Sequence, residues 1–105
     1  MDADKLPKNF RKLRDRYGPI LEKLEEAGRL IREAGPVDDK TAHLVQLAAA
    51  AASKSEGGLH SHARRALAAG ATADELRHVV LLLTPTIGFP AVAAAMSWLE
   101  DELKD

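Results

Sequence analysis

Nineteen alanines and fifteen leucines stand against four aromatic residues, Phe10, Tyr17, Phe89 and Trp98. Alanine and leucine lose little freedom in a helix, whereas the aromatic side chains that fill pleated sheets are scarce. An all-α chain follows. Its 105 residues, 46% hydrophobic and 30% charged, suit a single domain. A chain this short buries a smaller share of its surface than a longer one does, so an apolar excess is expected to go into subunit contacts.

Breakers divide the chain into about six helices. The first runs from Pro7 to Tyr17 and ends at Gly18-Pro19. The second carries Ile20, Leu21, Leu24, Ala27, Leu30, Ile31 and Ala34 at steps of three and four and stops at Gly35-Pro36. Residues 1–36 thus form charged N-terminal helices, and residues 38–104 form the core helices of the same domain. The first forty residues hold 19 of the 31 charges, whereas residues 41–99 hold seven.

Asp38 or Asp39 can cap a third helix running to about Ser53, with Leu44, Leu47, Ala48 and Ala51 on one face and alanines that permit close packing. The stretch from Ser53 to Gly58 breaks it, since paired glycines cost about 1 kcal/mol each inside a helix. A fourth helix presents Leu59, Ala63, Ala66 and Leu67, then closes at Gly70. Thr72 and Glu75 make a capping box for the fifth, which is apolar all round beyond Val79 and needs cover from its own domain or a neighbour. Residues 84–90 read as a turn, and Val92, Met96, Leu99 and Leu103 define the last helix. No 20-residue repeat is visible.

The composition also excludes function classes. A net charge of −1 leaves no basic surplus for a phosphate backbone, so no nucleic acid partner is expected. The chain has no cysteine, which removes disulfides, thiolate metal sites and thiol redox chemistry. Met1 to Lys5 lack the apolar core of a secretory signal, and the run Leu44–Ala52 is too short to span a bilayer. A cytoplasmic protein with no membrane partner is the expectation.

Of the four histidines, His43, His60, His62 and His78, His62 is the most informative. It shares the apolar side of Leu59 and Ala66, and Ser55 and Gly58 precede it on the same stripe. It reads either as a core histidine bonded to a backbone carbonyl or as a general acid or base. Gly57 and Gly58 would expose helix-start N–H groups that suit a carboxylate, with Arg64 and Arg65 assisting or simply lining a solvated face. His60, two residues from His62, points the other way. His43 reads as a core or helix-contact histidine that can face the fourth helix, His78 as a surface residue beside Asp74 and Glu75, and Glu56 as a first-turn residue or a catalytic carboxylate.

The block from Asp38 to Pro90 resembles the carboxymuconolactone decarboxylase family, whose relatives include alkylhydroperoxidase D-like proteins. The resemblance is carried by Asp39-Lys40-Thr41-Ala42-His43-Leu44, the alanine run, His62 to Thr72 with Asp74-Glu75-Leu76, and Gly88-Phe89-Pro90. It implies an alkylhydroperoxidase D-like helical fold assembled as a homotrimer or homohexamer. In the peroxidase branch a glutamate lies twelve residues before a Cys-x-x-Cys-x-x-x-His motif. Laid over that pattern, His43 takes the glutamate's place, Ser55 and Gly58 the places of the cysteines, and His62 that of the histidine.

A dithiol peroxidase cycle is thereby excluded, and the decarboxylase branch implies a small carboxylate or lactone as ligand. The expected enzyme is a lyase or hydrolase without a cofactor. His62, His60, His43 and Glu56 would carry acid and base catalysis, while Ser55, Gly57, Gly58, Arg64 and Arg65 would hold the substrate. Two other readings stand beside it. One is a non-catalytic oligomeric binding or scaffold protein that kept the fold. The other is a metal site joining His43 and His62 with Glu56 or a residue of a neighbouring subunit.

Overall fold

The computed structural model describes residues 8–104, and every described element is helical: α1 (Lys8–Glu33), α2 (Asp39–Ala52), α3 (Glu56–Ala68), α4 (Ala73–Leu81), α5 (Thr84–Ile87) and α6 (Phe89–Leu103). The expected helix start at Pro7 lies outside the described residues. The chain divides into two compact units at the Pro36–Val37 junction, the seam read in the sequence as internal to one domain.

In the first unit, the two expected helices form a single helical run broken only at Tyr17, whose φ of −127° and ψ of 34° are not helical. The break adjoins Pro19, which has no N–H to donate and whose ring crowds the preceding turn. Ile20, Leu24, Leu30 and Ile31 all remain exposed, Ile31 by 70%. A lone helical run supplies no second surface of its own on which to bury an apolar stripe.

In the second unit, Asp38 caps α2 by accepting a 2.7 Å hydrogen bond from the Thr41 N–H. That bond holds its carboxyl below the ordinary aspartate value. The predicted capping box is present: Thr72 Oγ1 accepts from the Glu75 N–H at 3.0 Å and Glu75 Oε1 accepts from the Thr72 N–H at 2.9 Å. Thr72→Ala should therefore lower stability by about 1 kcal/mol, and a shift of about 4–8 °C in the thermal midpoint would report it. Gly70, at φ 106°, closes α3 in the left-handed conformation expected of it.

Two sequence expectations are corrected. The α2–α3 break is not made by the paired glycines but by Lys54, whose φ is 60°. The N–H groups of Lys54 and Ser55 turn back to the carbonyls of Ala51 and Ala50, the Schellman arrangement in which glycine is usual. Gly57 and Gly58 instead lie in the first turn of α3. In the segment read as a turn, Thr84–Ile87 forms the single helical turn α5, and α6 begins at Phe89, where Pro90 suits a position needing no N–H donor.

Six alanines, four leucines and two valines make up the buried core. Ala50 and Ala51 on α2 and Ala63 and Ala66 on α3 have no bulk to hold helices apart, so these two helices approach closely as an antiparallel pair. The buried face of α2 is His43, Leu47, Ala50 and Ala51. It is turned from the expected stripe, so that Leu44 and Ala48 sit at its margin and His43 points inward. Ion pairs fasten the outside: Lys40 to Glu75 at 3.0 Å and Arg77 to Glu100 at 2.6 Å. The Arg77 guanidinium holds the Glu100 carboxyl below its ordinary value.

Candidate active site

Helix α3 carries polar residues on both flanks of its buried stripe of Leu59, Ala63 and Ala66. One flank faces α2. There the Schellman turn folds α3 back so that His62 meets His43, nineteen residues earlier, with Nδ1 atoms 3.4 Å apart. The ring centroids are 5.6 Å apart and the planes tilted by 35°. His43 is 4% exposed and is the one polar side chain in the core of the described residues, whereas His62 is half-buried. One turn before His43, the Asp39 carboxylate lies 4.0 Å from His43 Nε2.

The other flank faces α6. His60 Nδ1 lies 2.8 Å from Glu102 Oε1, and Arg64 donates to the same oxygen at 2.9 Å. Glu56, one turn earlier on α3, brings Oε2 to 3.5 Å from His60 Nε2. Both ring nitrogens of His60 thus face carboxylates, and the group joins α3 to α6 across 42 residues of sequence. The four residues proposed for catalysis therefore separate. His43 and His62 come together, while His60 and Glu56 belong to a different network on the opposite flank, as the two-residue spacing of the histidines requires.

The expected substrate-binding residues separate too. Ser55 caps α3, its Oγ accepting from the Gly58 N–H at 3.2 Å. A Cβ at Gly58 would lie 2.8 Å from Ser55 Oγ and 3.3 Å from the Ala50 Cβ. Gly58 is thus a packing residue with a committed N–H, and no open donor for a carboxylate. A Cβ at Gly57 would meet nothing within 4 Å, so approach to the helix start remains open there. Arg64 is engaged by Glu102. Arg65, half-buried one turn beyond His62, is not part of that network. His78 is exposed on α4, as read.

Three contributors escaped the sequence reading. Glu102 carries no local signal, since its partners lie on another helix. Asp39 reads in the sequence only as a cap, although its spacing of four from His43 is the signal that finds it. Gln46, one turn after His43, buries its Oε1 with no hydrogen-bond donor among the described residues. Burying such an acceptor costs about 1–3 kcal/mol. Gln46→Met keeps the length and removes the orphaned oxygen, so denaturant unfolding of this variant should show equal or greater stability. Among the described residues no group of three or more histidine, aspartate or glutamate side chains is arranged to hold a metal ion.

Residues 19–101 match the model of the carboxymuconolactone decarboxylase family. That span includes α2 to α5, most of α6 and both flanks of α3. Comparison with curated proteins and with solved structures returns no match. No helix among the described residues is long and apolar enough to cross a membrane.

Proposed function

This chain belongs to the carboxymuconolactone decarboxylase family, and from that premise we propose that it is a cofactor-free enzyme acting on a small carboxylate or lactone, with His62 as its acid and base. The observation that carries this reading is the 3.4 Å approach of the His43 and His62 rings. An imidazole backed by a second imidazole can take up and return a proton while its neighbour accommodates the charge. A peroxidase cycle is not available to a chain without cysteine.

The reaction proposed is a decarboxylation. The bond between the carboxylate carbon and the ring breaks, its electron pair enters the conjugated lactone, and carbon dioxide leaves. Protonated His62 then supplies the proton that closes the carbon, and solvent replaces that proton once per turnover. Arg65 and the open helix start at Gly57 hold the carboxylate in this reading. Arg64 serves Glu102 instead. The test is turnover of carboxylated γ-lactones, followed by carbon dioxide release and by loss of the lactone absorbance. Absence of turnover across such a panel favours the alternative, an oligomeric scaffold or binding protein.

Both readings include self-assembly as a homotrimer or homohexamer. The support is the corner of α4 and α6, where Leu81, Leu82 and Phe89 are all more than half exposed in a stretch with no charged residue from Val79 to Leu99. Exposed apolar patches of this kind mark subunit contacts. Leu82→Glu is expected to reduce the subunit number seen by native mass spectrometry without loss of helical content. An unchanged assembly would remove this corner from the interface.

A further inference from the structure

We propose that α1 is an assembly helix, which pairs antiparallel with α1 of a second copy of this chain along a seven-residue repeat of apolar side chains. This goes beyond the reading of the histidine site and does not depend on it.

The repeat is set by spacing. Leu13, Tyr17, Ile20, Leu24, Ala27 and Ile31 follow one another at steps of four, three, four, three and four, the 3.5-residue period at which two helices keep one seam in contact. All six are exposed on α1. Large apolar side chains repeated at this period gain by leaving water, and a second helix of the same period covers them along their whole length. The seam begins ahead of residue 19, where the match to the family model starts, so part of it lies outside the segment that defines the family.

The charges beside the seam select the occupant and its direction. Arg11 and Arg14 border one side of the seam, and Lys12 and Arg16 border the other. None of these four cations has an ion pair among the described residues. The carboxylates that border the seam, Glu25, Glu26 and Glu33, all lie in the second half of α1. Glu25 is on the side of Arg11 and Arg14, and the other two are on the side of Lys12 and Arg16. In an antiparallel pair each flank meets the same flank of its partner, so the basic half of each copy lies along the carboxylates of the other. Parallel pairing would instead set the four cations beside the same four. An anionic lipid surface would attract the basic half but repel the three carboxylates.

The register that follows is two-fold. Leu13 opposes Ile31 of the second copy, Tyr17 opposes Ala27 of the second copy, and Ile20 opposes Leu24 of the second copy. The largest side chain of the seam thus meets the smallest, at the point where the non-helical backbone of Tyr17 bends α1. The alanine leaves room for both the ring and the bend. Lys23 comes close to its own copy at the two-fold axis, where Glu26 of the same helix stands 3.8 Å from its Nζ.

Native mass spectrometry of the full chain should give an even subunit number, and Leu24→Glu should halve it with helical content unchanged. Glu22→Gln, on the outer face of α1, should leave the number as it is. Both variants leave the α4–α6 corner intact, so the halving reports α1 alone. Because the chain has no cysteine, single introduced thiols report the direction of pairing. Leu13→Cys co-expressed with Ile31→Cys should form a mixed disulfide on oxidation, whereas neither variant alone should link to itself. A monomer, or a subunit number unchanged by Leu24→Glu, would overturn the pairing, and self-linking of Leu13→Cys alone would overturn its direction. Sedimentation with vesicles of phosphatidylcholine and phosphatidylglycerol, lost in Leu24→Glu while the subunit number stays the same, would assign this face to a membrane instead.

Discussion

His62→Gln is expected to lower turnover of a carboxylated lactone by about 10²- to 10⁴-fold, the range associated with removing a general acid or base. Glutamine retains much of the volume of the ring and a polar tip for His43 to meet, but it has no titratable nitrogen. His62 is half-buried beside His43, so the native fold should persist and the loss should fall on kcat rather than on KM. Steady-state kinetics with far-ultraviolet circular dichroism on the same samples would separate the two. Turnover unchanged by the substitution would exclude His62 as the acid. His60→Gln provides the contrast, because His60 faces Glu102 and Glu56 across the other flank of α3. That variant should disturb α3–α6 packing and stability while sparing the chemistry.

The largest effect on stability is expected from Leu99→Ala. Leu99 is fully buried on α6, within the core shared with Leu59 and Ala63 of α3 and Leu76 and Val80 of α4. Truncation to alanine removes buried methylenes and leaves a cavity, at a cost of about 2–5 kcal/mol. The core-bearing unit is about 70 residues long, and a unit of that size has a total stability of about 3–10 kcal/mol. The substitution therefore removes a large fraction of the total, and urea titration should show a markedly lower midpoint or no folded baseline. A loss below about 1 kcal/mol would mean that the helices collapse around the site.

The helices were legible because their signals are local. Gly-Pro pairs, the Thr72–Glu75 box and the apolar periods each act within a turn or two, and a physical cause confined to one helix can be read from its own residues. The misplaced α2–α3 break shows the boundary of that logic. Paired glycines are permissive rather than obligatory breakers, and Lys54 took the left-handed position where the Schellman bonds closed. The overlay of His43 with His62 came from resemblance, and the 3.4 Å contact between them is a tertiary fact of the alanine-lined α2–α3 pair.

The residues read along the chain were enough for the class of fold, most helix ends, the absence of thiol chemistry, and the opposed directions of His60 and His62. These follow from propensity, capping, composition and the 100° step of a helix, none of which depends on a distant partner. Tertiary packing was needed to show that His43 meets His62 at 3.4 Å, that His60 and Arg64 are claimed by Glu102 from α6, and that Gly58 is a packing residue. The reason is that a helix offers each side chain a direction but not a neighbour. The neighbour is set by which flank the next helix covers, and here α2 and α6 cover opposite flanks of α3.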